Sequence, residues 1–512
     1  MKKVKKHLIV VTVLAISGIF NFGFVEAQAA SPSGELEVAI HWAISADWLD
    51  PAYSGLSNTS YLSLYLFHDS LLKPMPDGTY TPCLAESWTI SSDSKVYEFK
   101  LRKGVKFHNG DTMTSEDVVF SIKRYKAGQA RFIHEKTEKL ETIDPYLVRI
   151  TFKEPFPDFF DYLLPRAGNI GWVLPKKYVE KVGDAGFKKH PIGCGPYKFV
   201  EFVPGVKLVG EAFEQFWRKV PNIKRMEFFT ATDPATRLAM VRRGEVDIAT
   251  YLMDVFYEDA KKDPKLRILM PAGITRWIVY ITAQWDPKSP WADSRVRKAA
   301  SLAIDRKTLA EVLYPGCVPI GPLTMEKDPM VADIPVDPYD PEKAKKLLAE
   351  AGYPKGFHGG KFYPYNGPLW RYGETVANYW KAIGISVDTV LLERPAWVAN
   401  RFGGKMKGAL FMDATGAPAI GGNLTLLFGP TSYGNYPDVQ ALWDQYNKTV
   451  DLKSRKDLMI RLQWLIHDKT MFIPVTTANM PTAVSMKVKG NPFKVQPLLS
   501  LAGPMEDIEL TR

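Results

Sequence analysis

The side chains able to do chemistry in this chain are numerous but poorly assembled for reaction. Seven histidines follow position 29, at 41, 68, 108, 134, 190, 358 and 467, and they form no close spacing by which a helix or a turn presents paired ligands to a metal. His134-Glu135 lacks the second histidine of a zinc-protease helix. There is no Gly-x-Ser-x-Gly nucleophile elbow, no Gly-x-x-x-x-Gly-Lys phosphate loop and no dinucleotide fingerprint after a strand. The carboxylates are scattered, and nothing selects one acid–base pair among them. Cys83, Cys194 and Cys317 permit at most one internal disulfide. Cys194, between Gly193 and Gly195, reads as a small residue in a packed turn. Arg371, just ahead of a helix expected to begin near Glu374, offers a planar fork that could take a carboxylate or phosphate with help from the first helical amides. Its alternative is a solvated surface arginine. These groups suit recognition, and no enzyme, resident cofactor or metal site is expected.

Such groups need a scaffold, and the chain alternates strand and helix patterns. Tyr97, Phe99 and Leu101 alternate with Glu98, Lys100 and Arg102, the period of a half-buried strand, and Val148, Ile150 and Phe152 repeat it. Between them, Thr114-Ser115-Glu116-Asp117 is a capping-box arrangement ahead of the apolar face Val118, Val119 and Ile122. Asp233-Pro234 opens a helix that buries Leu238 and Val241 and stops at Gly244. Asp340-Pro341 to Gly352 repeats the device, with Ala344, Leu347, Leu348 and Ala351 inward. Asp293 caps another helix running through Val296, Ala300, Ala303 and Ile304. Short β-rich runs, Arg276 to Ala283, Ile385 to Leu391 and Lys407 to Met412, flank these helices. The class is α/β.

The N-terminus places Lys2, Lys3, Lys5 and Lys6 before the apolar run Leu8 to Phe20 and the small-residue site Ala27-Gln28-Ala29, the order of a secretory signal peptide cleaved near Ala29. No cysteine lies there to accept a lipid, so a free periplasmic protein is expected. The ~480 residues beyond it exceed what one core serves, which predicts two or more lobes. No later apolar stretch is long enough to span a bilayer. The net charge of +10 is spread through mixed stretches such as Lys343 to Glu350, so it serves solubility and does not indicate a nucleic-acid partner.

Four segments together resemble the extracellular solute-binding proteins of family 5, the peptide/nickel ABC importer group. They are Leu49-Asp50-Pro51 with Pro82 to Trp88 and Phe99 to Gly110; Gly193-Cys194-Gly195-Pro196-Tyr197 with Gly244-Glu245-Val246-Asp247; Arg295 to Ala299 with Ala303-Ile304-Asp305-Arg306; and Tyr339 to Gly352 leading to Ile383-Gly384-Ile385. The resemblance implies a type II periplasmic binding fold of two lobes and a hinge. Lobe one would take 30–282, with an inserted subdomain over about 60–185, and a C-terminal return over 478–512; lobe two would take 283–477. Crossings near Ala283-Gln284 and Val475-Thr476 would form the hinge. It implies a monomer that shuts on a small solute and delivers it to an inner-membrane permease with a cytoplasmic ATPase. Gly193 and Gly195 then permit a tight turn, and Arg295 and Arg297 pair with nearby acids or carbonyls.

Peptide-binding members fix the ligand's ammonium with an aspartate in a Trp-containing stretch of lobe two, since a buried ammonium needs a counter-charge. Here that anchor position falls near Ala417, with Asp413 the one carboxylate close by. A non-peptide ligand, aromatic, cyclic or sugar-like, is therefore expected, with a di- or oligopeptide held by Asp413 as the alternative and a hydrolase on the same scaffold as a further one. Aromatic residues crowd the segments that the resemblance assigns to the cleft: His41 and Trp42, Trp277 and Tyr280, Trp370, and Trp397. They offer flat apolar area with few polar demands. The alternative for each tryptophan is that it fills a core.

Overall fold

A computed structural model describes residues 31–54, 60–126, 130–164, 169–253, 255–270, 275–313, 316–321, 330–364, 370–415, 424, 433–493 and 502–511. The signal peptide expected over 1–29 and the anchor position near Ala417 lie outside them. Strand β1 (Glu35–Ile40) opens the fold, followed by a hairpin of β2 (Leu72–Met75) and β3 (Gly78–Pro82). A separate four-stranded antiparallel sheet comes next: β4 (Ala85–Ile90), β5 (Val96–Leu101), β6 (Thr137–Asp144) and β7 (Leu147–Phe152). The chain then rejoins β1 with β8 (Tyr197–Val203), β9 (Lys207–Ala212), β10 (Arg225–Thr230), β11 (Ile248–Ala249) and β12 (Leu266–Leu269). A five-stranded sheet takes over with β13 (Thr275–Ile281), β14 (Phe357–Tyr363), β15 (Ile385–Thr389), β16 (Leu410–Thr415) and β17 (Phe472–Ala478), before β18 (Thr482–Ser485) returns to the first. The orders are β12-β18-β11-β1-β10-β9-β8 and β15-β14-β16-β13-β17.

The expected elements form for the expected reasons. Tyr97, Phe99 and Leu101 on β5 and Val148, Ile150 and Phe152 on β7 are all buried, while their neighbours in sequence face outward. The capping box closes as Thr114 and Asp117 satisfy each other's backbone at the start of helix Ser115–Arg124. Asp233, Asp293 and Asp340 each accept an amide of the helix they precede. Arg295 pairs with Asp293 at 2.6 Å, and Arg297 donates to the carbonyls of Trp291, Ala292, Lys469 and Thr470.

Two readings need correction. The helix expected near Glu374 begins at Trp370, because Gly373 lies inside it, where the missing side chain admits Pro364. Gly193 and Gly195 are needed for close backbone approach more than for turning: a Cβ on either would collide with the Phe67 backbone. The three cysteines are free buried thiols, each pushed up in pKa by burial.

Two large apolar cores lie apart. One gathers β1, the hairpin and the four-stranded sheet, and the other packs around β13, β14, β16 and β17. The chain passes between the two main sheets from Leu269 to Thr275 and from Ala478 to Thr482. β13 belongs wholly to the five-stranded sheet, and Ala283 and Gln284 sit in a buried turn behind it, where Gln284 Nε2 donates to the carbonyls of Ile281 and Met471 at 2.7 and 3.0 Å. Among the described residues no helix is long and apolar enough to cross a membrane.

Gly195→Ala should cost about 3 kcal/mol through backbone collision, or prevent folding. Gly244→Ala, at φ +72° in open space, should cost only about 1 kcal/mol. Urea titration of both variants checks the order, and an equal effect would show that the Phe67 contact is not tight.

Candidate binding cleft

In the first sheet β1 runs parallel to β10 and β11, which flank it, so the three strands release their following loops at one edge. In open α/β sheets this carboxyl edge is where ligands are received. His41 leaves β1 there, 3% exposed, with Nδ1 3.1 Å from Thr250 Oγ1. Its ring stacks on Tyr251 at 4.3 Å and 12° and meets the Trp42 ring at 5.1 Å. Trp42 is partly buried and packs against the core of the other sheet, so this pair stands where the two bodies meet.

The bonding around Thr250 sets the state of His41. The hydroxyl has one proton, which it gives to the Ala39 carbonyl at 3.1 Å, so it accepts from His41 Nδ1. A neutral His41 therefore carries its proton on Nδ1 and its lone pair on Nε2.

The other expected residues fall into three places. Tyr280 and Trp397 gather around Phe411: Tyr280 stacks on it at 4.7 Å and 11°, and Trp397 meets it edge-on at 6.2 Å. Asp413, two residues along β16, receives Arg401 Nε at 3.3 Å. The Arg401 guanidinium lies 5.0, 4.8 and 5.4 Å from the rings of Tyr280, Phe411 and Tyr433, a buried charge set among π faces beside the Asp413 carboxylate. Tyr433 donates to the Arg401 carbonyl at 2.6 Å, and burial pushes its phenol pKa up despite that cation. Trp277 is 2% exposed, 6.1 Å from Tyr372, whose hydroxyl bonds Thr476. Trp370 and Arg371 form the exposed first turn of helix Trp370–Ala382, with the guanidinium 6.0 Å from the indole. Arg371 is thus the second residue of that helix and stands in its first turn, and does not precede it.

Sequence reasoning missed Tyr251, Thr250 and Arg401. Arg401 had a signal, lying one helical turn beyond Trp397 on the same face. Tyr251 had none: it lies far from His41 in sequence, and its left-handed backbone, φ +59°, has no mark in the residue type. Among the described residues no group of three or more histidines, cysteines or carboxylates is placed to hold a metal ion.

Comparison with known proteins agrees with this architecture. The model of the bacterial extracellular solute-binding proteins, family 5 Middle, matches residues 79–435. The chain is 28% identical over 455 residues to heme-binding protein A of Haemophilus influenzae, covering 80% of this chain and 81% of that one. It superposes with TM-score 0.81 and 22% identity on the ABC transporter-associated periplasmic binding protein DppA of Helicobacter pylori in complex with the peptide STSA, over 94% of this chain and 99% of that one. The same TM-score, identity and coverage describe its likeness to the periplasmic binding protein AgaA of A. tumefaciens R10 in complex with agropinic acid. The fold is that of the type II periplasmic binding proteins.

Nitrogen-15 NMR of the histidine side chains should find neutral His41 protonated at Nδ1, and Thr250→Val should abolish that preference at a cost of about 1 kcal/mol. An Nε2–H tautomer in the unaltered chain would contradict the bonding described.

Proposed function

The chain belongs to the bacterial extracellular solute-binding proteins of family 5, and from that premise we propose that it captures a small non-peptide solute between its two bodies and hands it to an inner-membrane ABC permease energised by a cytoplasmic ATPase. The first body takes residues from about 30 to 270 and again from 479, and the second takes 275–478. The hinge then lies in the two crossovers between the sheets, and the wall of the cleft includes His41 and Trp42 from one body and Trp277 from the other, with Arg371 and Trp370 nearer the rim. The protein acts in the periplasm after losing its leader, as a monomer, and does no chemistry on its cargo.

The observation that carries the non-peptide reading is the Arg401–Asp413 pair. A peptide ammonium entering a cleft gains most from a carboxylate that lacks a counter-charge, and Asp413 already has one at 3.3 Å. Relatives whose names or titles specify heme and agropinic acid support a scaffold open to ligands other than peptides. The complex with STSA keeps the peptide reading in play, with Asp413 released from Arg401 to serve as the anchor.

Closure has a second support away from the crossovers. Asp158, ahead of helix Phe159–Leu163 in the first body, is bonded by Arg455 of helix Leu452–Asp468 in the second. Tyr446 also reaches Asp158, at 3.3 Å, and its ring lies 4.0 Å from the Arg455 guanidinium. These contacts hold the bodies together at a distance in sequence of almost three hundred residues, and a solute that favours the closed state shifts the balance toward them.

Native mass spectrometry of the mature protein from its own host should show a copurifying small molecule that is not a peptide. Adding that molecule at about a hundredfold excess over Kd should stabilise the fold by about 2.7 kcal/mol in a thermal melt. A bound di- or tripeptide, lost in Asp413→Asn, would replace this reading with the peptide one.

A further inference from the structure

Arg237 is fully buried on helix Pro234–Arg243, and all its hydrogen bonds among the described residues go to main-chain carbonyls. Nε donates to Thr250 at 2.7 Å and Nη2 to Tyr251 at 2.9 Å, both in the loop after β11. Nη1 donates to Ala231 at 2.6 Å and Thr232 at 2.9 Å, in the loop after β10. Since β1 lies between β10 and β11, one guanidinium ties together the loops on either side of the strand that delivers His41. Burial lowers its pKa to about 10, so it stays charged at neutral pH.

What this fork holds is strained. Tyr251 sits at φ +59°, a left-handed conformation that costs a residue with a Cβ about 1–2 kcal/mol and is kept only where the surroundings impose it. That backbone turn puts the phenol ring flat against His41. If the carbonyls of residues 250 and 251 lost their donors, residue 251 could relax to an ordinary conformation and its ring would leave the imidazole. Lysine cannot substitute, because a single ammonium does not span two loops with the rigid planar geometry of a guanidinium.

We propose that Arg237 is a positioning residue for the cleft: it does not touch solute but fixes Tyr251 in its left-handed turn and so keeps the His41–Tyr251 stack as a preformed wall for ligand. As a statement about ligand binding this rests on the function proposed above; as a statement about geometry it can be tested on the free protein. Two other buried arginines provide the control. Arg297 and Arg306 also donate to several carbonyls, but within the second body and away from His41.

The experiment compares Arg237→Lys with Arg306→Lys in the ligand-free mature chain, both checked for folding by circular dichroism, and follows the ring-proton shifts of His41, assigned with His41→Gln. The stacked phenol shields those protons, as Tyr251→Ala will reveal. Arg237→Lys should move the His41 signals to the Tyr251→Ala position, and Arg306→Lys, comparably destabilised, should leave them in place. Unmoved His41 signals in folded Arg237→Lys, or equal movement in both variants, would overturn the proposal. Should Arg237→Lys not fold, the strain is read from Tyr251 itself: Tyr251→Gly should melt no lower than Tyr251→Ala, and a clearly lower melting temperature for the glycine variant would overturn it. None of these outcomes depends on a solute being found, so failure of the transport reading and failure of this one are separable.

Discussion

The chain passes between its two principal sheets by two short crossovers, and that covalent constraint governs the rest of the molecule. Two connections side by side permit rotation about a common line while resisting translation. Each body has a core of its own: the aromatic and aliphatic core beneath β1 and the four-stranded sheet is separate from the one surrounding β13 and β16. In the function proposed above, the edges beside the crossovers serve recognition. It is there that β1, β10 and β11 end, and there that Trp42 leaves its own sheet to pack on the other core.

Ending several strands and loops at one edge creates a second difficulty, because loop carbonyls taken out of water need donors. This protein meets it repeatedly with buried guanidinium groups. Arg237, Arg297 and Arg306 each serve several carbonyls from different segments, and burial lowers the pKa of all three. An arginine fork has enough donors to satisfy several acceptors while its planar shape fixes their relative places. Arg401 is placed differently, against a carboxylate and three aromatic rings. Asp413, the carboxylate that the sequence offered as a ligand anchor, is the one it faces.

Much of the scaffold was readable from the residues. The alternation at Tyr97, Phe99 and Leu101 and the caps at Asp233, Asp293 and Asp340 rest on interactions between near neighbours, which periodicity and spacing reveal. The start of helix Trp370–Ala382 was not readable, since Gly373 looks like a breaker until Pro364 is seen packed over it. The site was legible only in its residue types. His41 and Trp42 were singled out for chemistry and position, but Thr250 and Tyr251 lie some two hundred residues away, and the tautomer and the stack depend on that distant pairing. A left-handed tyrosine has no mark in a sequence, because only glycine advertises that conformation.

Closure over a solute is the central claim, and a distance between the two bodies measures it directly. Spin labels at Glu138→Cys and Lys453→Cys would stand on exposed positions of β6 and of helix Leu452–Asp468, while the three native thiols stay buried. Pulsed dipolar spectroscopy of the ligand-free protein should give a broad or long distance distribution. Adding back the solute extracted from host-purified protein should collapse it to one shorter distance. An identical distribution with and without that solute would mean that the two bodies do not move, and the account of capture by closure would be wrong.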